Sequence, residues 1–144
     1  MSGRNLGSAA IILDDRDRVL LVHHSYGRLN WELPGGYSEP GEFAVATALR
    51  EVLEETGLEV VAERMTGVYY DQGDDMHHFV FACRLADAAA LPRPDGGEIT
   101  ELGFFSAEAL PRPISDFTLR RIADALATAP PELPVIVGPR RWVD

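Results

Sequence analysis

Three carboxylates crowd one stretch of this chain: Glu51, Glu54 and Glu55, with Arg50 directly before them and Glu42 further upstream. At about 100° per residue, an α-helix puts Glu51, Glu54 and Glu55 on one side. Carboxylates so close repel one another unless cations sit between them. Their oxygens are the ligands that magnesium prefers. Arg50 is placed to hold one of them by a two-bond contact. Gly35-Gly36, just ahead, lets the backbone approach a ligand closely. A glutamate-rich helix face is, by itself, more often plain solvated surface, so the cluster alone does not decide between metal chemistry and solubility.

The longer string decides. Gly36, Glu42, Arg50-Glu51-Val52, Glu54-Glu55 and Gly57-Leu58 fit every position of the pattern G-x5-E-x7-R-E-U-x-E-E-x-G-U, where U is aliphatic. A chance match in a chain this long is on the order of 10⁻⁷ at average residue frequencies. That pattern is the Nudix box, and the chain resembles the Nudix hydrolase family. Trp31 to Gly36 resembles the family's lead-in to the box. Glu98 to Phe105, followed by a Leu110-Pro111 turn, resembles its late strand.

The resemblance implies an α+β fold, an α/β/α sandwich with a mixed central sheet. It implies that Glu51, Glu54 and Glu55 bind Mg2+, with Mn2+ as a substitute, and that Arg50 orients Glu51. Glu42 fills the other acid position of the box, as a metal contact or a salt-bridge partner. The implied reaction is water attack on a diphosphate linkage of a nucleotide-like substrate, a phosphorylated small molecule. The metal would neutralise charge on phosphate oxygens and activate the water, and a carboxylate would take the water's proton.

Outside the box, Glu98 stands at a loop-strand junction and is favoured over Glu101 as a further catalytic carboxylate. Gly35, Gly36 and Arg28 are candidate substrate contacts, Arg28 by way of a phosphate. His23-His24 and His77-His78 cannot each chelate one ion as a pair, because neighbours on a strand point to opposite faces. Cys83 lies among apolar strand residues and reads as core. Tyr69 and Tyr70 read as packing or as a stacking surface for a base. Members resembling ADP-ribose hydrolases carry a proline well after the box, but none occurs from Glu59 to Ala90, so that substrate loses support. A nucleoside triphosphate, a nucleotide sugar and a dinucleotide stay open.

These residues need elements to position them. Ala9 to Leu13 reads as a buried strand, Asp14 to Asp17 as a turn, and Arg18 to His24 as the second strand of a hairpin. A helix is expected to start at Pro40-Gly41-Glu42, with the acid suited to its positive end. Val45, Leu49, Val52, Leu53 and Thr56 mark its buried face, the glutamates lie roughly opposite, and Gly57 ends it. Glu59–Glu63, Thr66–Tyr70, Met76–Leu85 and Glu98–Phe105 read as strands. In the third, Phe79, Phe81, Cys83 and Leu85 share one face. Asp116 to Ala127 reads as an amphipathic helix with Phe117, Leu119, Ile122 and Leu126 inward. The whole is read as one domain, 1–144, with a short tail at 1–7 and a Pro-rich segment at 129–144.

Composition bounds the rest. The 144 residues carry a formal charge of -10, which repels nucleic acid and anionic lipid at long range. All 13 basic residues are arginine, so no catalytic or phosphate-loop lysine exists here. No apolar run spans a bilayer, residues 1–7 carry no signal region, and the single cysteine excludes an internal disulfide. A cytoplasmic enzyme without nucleic-acid or membrane partners is expected, and a homodimer is compatible with the sequence. Two rivals exist. A silent nucleotide-binding module commonly loses box carboxylates, yet all are present here. An isoprenoid diphosphate isomerase uses a loop cysteine, which Cys83 suits poorly.

Overall fold

The computed structural model describes residues 6–144. Of the tail read at 1–7, residues 1–5 lie outside the described residues, while Leu6 and Gly7 already belong to the first strand. The strands are β1 (Leu6–Ile12), β2 (Val19–His24), β3 (Trp31–Glu32), β4 (Gly35–Tyr37), β5 (Val60–Asp71), β6 (Met76–Leu85), β7 (Ile99–Phe105), β8 (Ile114–Ser115), β9 (Val135–Val137) and β10 (Trp142–Val143). The helices are α1 (Ala44–Thr56) and α2 (Asp116–Leu126). They build two mixed sheets in the orders β4-β1-β6-β5-β9 and β10-β8-β3-β2-β7.

Alternation along the strands explains the layering. Ala10 and Ile12 of β1, Leu20 of β2 and Phe81 and Cys83 of β6 pack with Ala48 and Val52 of α1. Their neighbours Ala9, Ile11, Val19, Leu21 and Val80 pack with Phe117 and Ile122 of α2. Successive side chains point to opposite faces, so both faces of the strand layer are apolar and each is covered by a helix. This is the expected α/β/α sandwich, with the central layer divided into two sheets. Phe79, Phe81, Cys83 and Leu85 share the α1 side, as their spacing predicts.

Several expectations shift. β1 and β2 do not form a hairpin ladder; one antiparallel bridge, Leu13 to Val19, joins them. Both edges of β1 are already taken, by β4 and by β6. The two strands read at Glu59–Glu63 and Thr66–Tyr70 are one long strand, β5, with two irregularities in its pairing to β6. The Pro-rich end is not merely a tail: β9 pairs with β5 and β10 with β8, adding an edge strand to each sheet. In α2, Ala125 is buried where Leu126 was expected, and Leu126 is exposed.

The helix that carries the glutamates also begins later than read. Gly41 has φ +77°, a left-handed conformation that a helix cannot continue, and Phe43 is the N-cap. Glu42 therefore precedes the helix and does not sit in its first turn. Gly57 ends α1 as expected, at φ +72° with its N–H donating to Leu53 O. The buried face differs: Thr47, Ala48, Val52, Glu55 and Thr56 are buried, whereas Leu53 is exposed. Glu55 is thus an inward acid, not part of a solvated face opposite the apolar stripe.

The C-terminal strands also anchor a buried ion. Arg140 Nη2 donates to Asp71 Oδ2, and Asp71 is buried. Ending the chain after Pro131 removes β9, β10 and this partner, leaving a buried carboxylate uncompensated. We expect the melting temperature to fall by more than about 5 °C, which in a chain this size corresponds to a loss of roughly 2 kcal/mol. A melt unaltered by the truncation would mean that these strands contribute nothing to stability.

Candidate active site

Arg50 is the hub of the acidic cluster. Its Nε and Nη2 donate to the two oxygens of Glu42, at 2.8 Å and 3.0 Å. Its Nη1 donates to Glu51 Oε1 at 2.9 Å and to Glu54 Oε2 at 3.2 Å, and Nη2 also reaches Tyr37 O at 3.1 Å. The planar fork is what allows one side chain to engage three carboxylates. Glu42 also accepts from Thr47 Oγ1 and the Glu39 N–H. The Arg50 bonds first, then those two, hold its carboxyl down to about 2. In this arrangement Glu42 is a salt-bridge partner.

Of the two glycines ahead of the helix, Gly36 makes the approach of β4 to α1 sterically feasible and Gly35 that of β4 to β1. A Cβ on Gly36 would stand 2.6 Å from the Glu51 carboxylate carbon, and one on Gly35 would stand 2.3 Å from Ser8 O. Gly35 N–H donates to Glu55 Oε1 at 2.9 Å. Glu55 is only 5% exposed. Burial pushes its carboxyl up to about 9 against the lowering effect of the Gly35 bond, and Glu51, Glu98 and Asp95 add to the rise. Burial likewise raises Glu51, with Arg50 opposing it and Glu54 and Glu98 assisting. Glu54 is the exposed member.

The structure thus brings Glu51, Glu54 and Glu55 together and places Glu98 within electrostatic reach of Glu51 and Glu55. The backbone O of Glu98 accepts from Ser25 N–H at 2.8 Å, which ties the head of β7 to the loop after β2. Asp95, not singled out from sequence, accepts from Gly97 and Ile99 N–H and adds negative charge near Glu55. Among the described residues, no three His, Cys, Asp or Glu side chains stand as a ready set of metal ligands. Arg50 supplies the positive charge at Glu51 and Glu54, and Glu55 has only a backbone N–H. A buried carboxyl raised by three acidic neighbours is one that a divalent cation would return to its ionised form, so the residues present fit a metal.

The remaining candidates separate. Glu101 lies opposite His23 in the β2–β7 ladder, its Oε2 3.9 Å from His23 Nδ1. Arg28 donates to Asp144 Oδ1 at 2.8 Å and lies 4.6 Å over the Trp142 ring. It braces the loop after β2 against the C-terminal strand. The histidine pairs part as the alternation requires: His24 stacks on Tyr26 while His23 bonds Leu29 O, and His77 lies against Tyr70 while His78 faces Phe117. Tyr69 is core, its hydroxyl donating to Asp124 Oδ2. Tyr70 bonds Asp75. Cys83 is buried, and burial raises its thiol to about 11.

Sequence reasoning missed what lies on the other side of Gly35-Gly36. There a cavity of about 190 Å³ is lined by Glu32, His78, Phe117, Arg121 and Arg140 among others. Arg121 is buried, with Nη2 donating to Glu32 Oε1 at 2.6 Å and its guanidinium 3.9 Å from the Phe117 ring centre. Leu33 N–H and Thr118 Oγ1 donate to the same Glu32 oxygen. One signal was present: Arg121 falls in the inward stripe of α2, between Phe117 and Ile122.

The NUDIX domain family profile matches residues 3–126. A Bacillus subtilis (strain 168) protein provisionally named as an 8-oxo-dGTP diphosphatase is 36% identical over 120 residues, 77% of this chain and 78% of that protein. The 8-oxo-dGDP phosphatase NUDT18 of Homo sapiens is 36% identical over 103 residues, 70% of this chain but 29% of that longer protein. The crystal structure of an ADP-ribose pyrophosphatase from Streptococcus suis 89-1591 matches with a TM-score of 0.73 at 25% identity, covering 94% of this chain and 100% of that one.

Glu55 generates a prediction about stability. Below about 4.5 its carboxyl is protonated in folded and unfolded chains alike. Between there and about 9 the unfolded chain ionises while the metal-free folded protein holds the proton, so stability is lost as pH rises through that window. We expect Glu55→Gln to flatten that decline and to raise the metal-free melting temperature at pH 8 by about 3 °C or more. Parallel pH–melting curves for the two proteins would show that Glu55 carries no such cost.

Proposed function

The chain belongs to the NUDIX family, and from that premise we propose that it hydrolyses a diphosphate linkage in a nucleoside triphosphate or a nucleoside diphosphate derivative, with Mg2+ or, in its place, Mn2+. The observation that carries this reading is the Arg50-organised carboxylate set seated on Gly35-Gly36, with the desolvated Glu55 at its inner edge. Glu51, Glu54 and Glu55 would hold the metal, which supplies charge for the phosphate oxygens and a bound water of lowered pKa.

The chain's own residues do the rest. Arg50 fixes the Glu51 carboxylate and ties it to Glu42, so that its orientation does not have to be won at each turnover. Gly36, without a side chain, leaves room for the Glu51 carboxylate itself. Glu98, exposed at the head of β7, is the additional carboxylate for taking the proton of the attacking water. Water adds to one phosphorus and the bridging P–O bond breaks, leaving two phosphate monoesters, or pyrophosphate and a monophosphate from a triphosphate. Arg28 has its own partners at the C-terminal strand, and we assign it to bracing the loop.

The relatives' names favour an oxidised deoxynucleotide among the substrates. The absence of proline from Glu59 to Ala90 puts ADP-ribose second, despite the similarity to the Streptococcus suis structure. A silent binding module has no use for the intact carboxylate set, and the buried, raised Cys83 thiol is unsuited to an isomerase nucleophile. No helix among the described residues is long and apolar enough to cross a membrane; a cytoplasmic site of action is part of the proposal.

Two experiments test it. Metal removal followed by excess chelator should abolish cleavage of a panel of nucleoside triphosphates, oxidised forms included, with nucleotide sugars and ADP-ribose, and added Mg2+ should restore it. Cleavage that persists in chelator sinks the mechanism. Arg50→Lys keeps the charge and loses the planar fork. It should lower turnover roughly 10- to 100-fold, the usual range for loss of an outer-shell partner, with a smaller change in the dissociation constant of a nonhydrolysable analogue. Equal losses in both would make Arg50 a substrate ligand instead.

A further inference from the structure

We propose that Asp95 is a positioning residue for Glu98: one of its carboxylate oxygens holds the peptide groups on both sides of Glu98 and so fixes that glutamate beside the acids of α1. The inference rests on the reading of Glu98 as the carboxylate that takes the proton of the attacking water, and it adds what keeps Glu98 in place.

The sequence poses the difficulty. Glu98 follows Gly96-Gly97, and glycine has the freest backbone of any residue. Glu98 is itself exposed, so packing does not hold its side chain. A carboxylate that must meet one water at one phosphorus loses rate when its geometry is loose, and a displacement of about 1 Å can cost roughly 100-fold. The backbone around Glu98 has to be held by something other than the core.

Asp95 holds it with a single atom. Its Oδ1 accepts from Gly97 N–H at 2.8 Å and from Ile99 N–H at 3.0 Å, the residues directly before and after Glu98. Gly96 N–H donates to Ile99 O at 3.1 Å and closes the turn, with Gly96 at φ +81°, a conformation that a side chain would oppose. Glu98 O accepts from Ser25 N–H at 2.8 Å. Glu98 thus stands between two clamped neighbours, its own carbonyl tied to the loop after β2.

Both ends of the turn are anchored. Ile99 is fully buried and pairs with His24 of β2. At the other end Arg93 N–H donates to Thr56 O at 2.9 Å, and Thr56 directly follows Glu55 in α1. Pro92 and Pro94 on either side of Arg93 restrict the chain there. The Asp95 carboxylate is the contact that spans the two glycines between these anchors. Glu98 and Asp95 both act by charge on the buried Glu55, so the turn stands beside the cluster. The charge of Asp95 adds to the repulsion at Glu55. Its use here lies in the two hydrogen bonds, which a neutral acceptor can also make.

Three variants separate holding from charge. Asp95→Ala removes the acceptor. Asp95→Asn keeps an oxygen suited to the same turn and removes the charge. Glu98→Gln removes the base. NMR relaxation reads the holding without turnover: the order parameter of the Glu98 amide should be about 0.85 in the wild type and in Asp95→Asn, and should drop towards about 0.6 in Asp95→Ala. With Mg2+ and the panel nucleotide cleaved fastest, Asp95→Ala should lower turnover roughly 10- to 100-fold and move KM less than about threefold. Asp95→Asn should recover turnover to within about threefold of the wild type. In the Glu98→Gln background, Asp95→Ala should cost less than about twofold more, because the two residues act as one unit. Melting curves identify any variant that does not fold; should Asp95→Ala fail, Asp95→Glu, which keeps the charge and displaces the acceptor, takes its place. A Glu98 amide as ordered in Asp95→Ala as in the wild type, an Asp95→Asn protein as damaged as Asp95→Ala, or a loss of unchanged size in the Glu98→Gln background overturns the inference. Wild-type turnover in Glu98→Gln removes Glu98 from the mechanism and the inference with it, and leaves the hydrolase reading intact. If no panel nucleotide is cleaved, the hydrolase reading falls and the order parameters alone decide whether Asp95 holds Glu98.

Discussion

Bringing Glu42, Glu51 and Glu54 around one point is electrostatically adverse, and the Arg50 guanidinium is what makes it feasible. Its five N–H donors lie in one plane, so Glu42 can take two of them, Glu51 and Glu54 one each from Nη1, and Tyr37 O the fifth. A lysine would offer a point charge without this division. The bond from Nη2 to Tyr37 O ties the same side chain to β4, so helix and strand are fixed to each other by the group that fixes the acids. The geometry of α1 against β4, and with it the approach of Gly35 to Glu55, depends on that contact.

Arg50 does not compensate every acid. Glu55 lies deeper and receives only the Gly35 N–H, and its neighbours Glu51, Glu98 and Asp95 are all acidic. Burying an acid among acids costs stability. A fold that keeps such an arrangement gives a cation more to gain on binding here than at an ordinary surface carboxylate, since the ion relieves both the desolvation and the repulsion.

The Nudix box was legible because its chemistry is local in sequence: Arg50, Glu51, Glu54 and Glu55 sit within two turns of one helix, and Gly57 ends that helix through its own backbone. The α/β/α layering came with the family resemblance, and the alternation of Phe79, Phe81 and Cys83 foretold one face of it. What escaped depends on partners distant in the chain. Leu53 and Glu55 exchange their expected environments because Gly35 N–H, 20 residues away, waits for a carboxylate. β1 has no hairpin ladder with β2 because β4 and β6 claim both its edges. Val135 to Val137 is too short to declare itself a strand until β5 offers an edge. Arg121 reads as a breach of the apolar stripe of α2 until Glu32, 89 residues away, is seen to receive it.

Gly35-Gly36 separates two electrostatic settings that the net charge of -10 conceals. On the α1 side the acids exceed the available cations, since Arg50 alone serves Glu39, Glu42, Glu51 and Glu54 and Glu55 has only the Gly35 N–H. On the α2 side Arg121 pairs with Glu32 and Arg140 with Asp71, with His78, its imidazole held low by burial, 4.0 Å from Asp71. An excess of acid attracts a divalent cation and, through it, phosphates. Matched pairs neither attract nor repel net charge at a distance, but they present directed donors and acceptors at short range. Gly35 and Gly36, free of side chains, line the cavity on one side and meet Glu55 and Glu51 on the other, so the same short strand edge borders both settings.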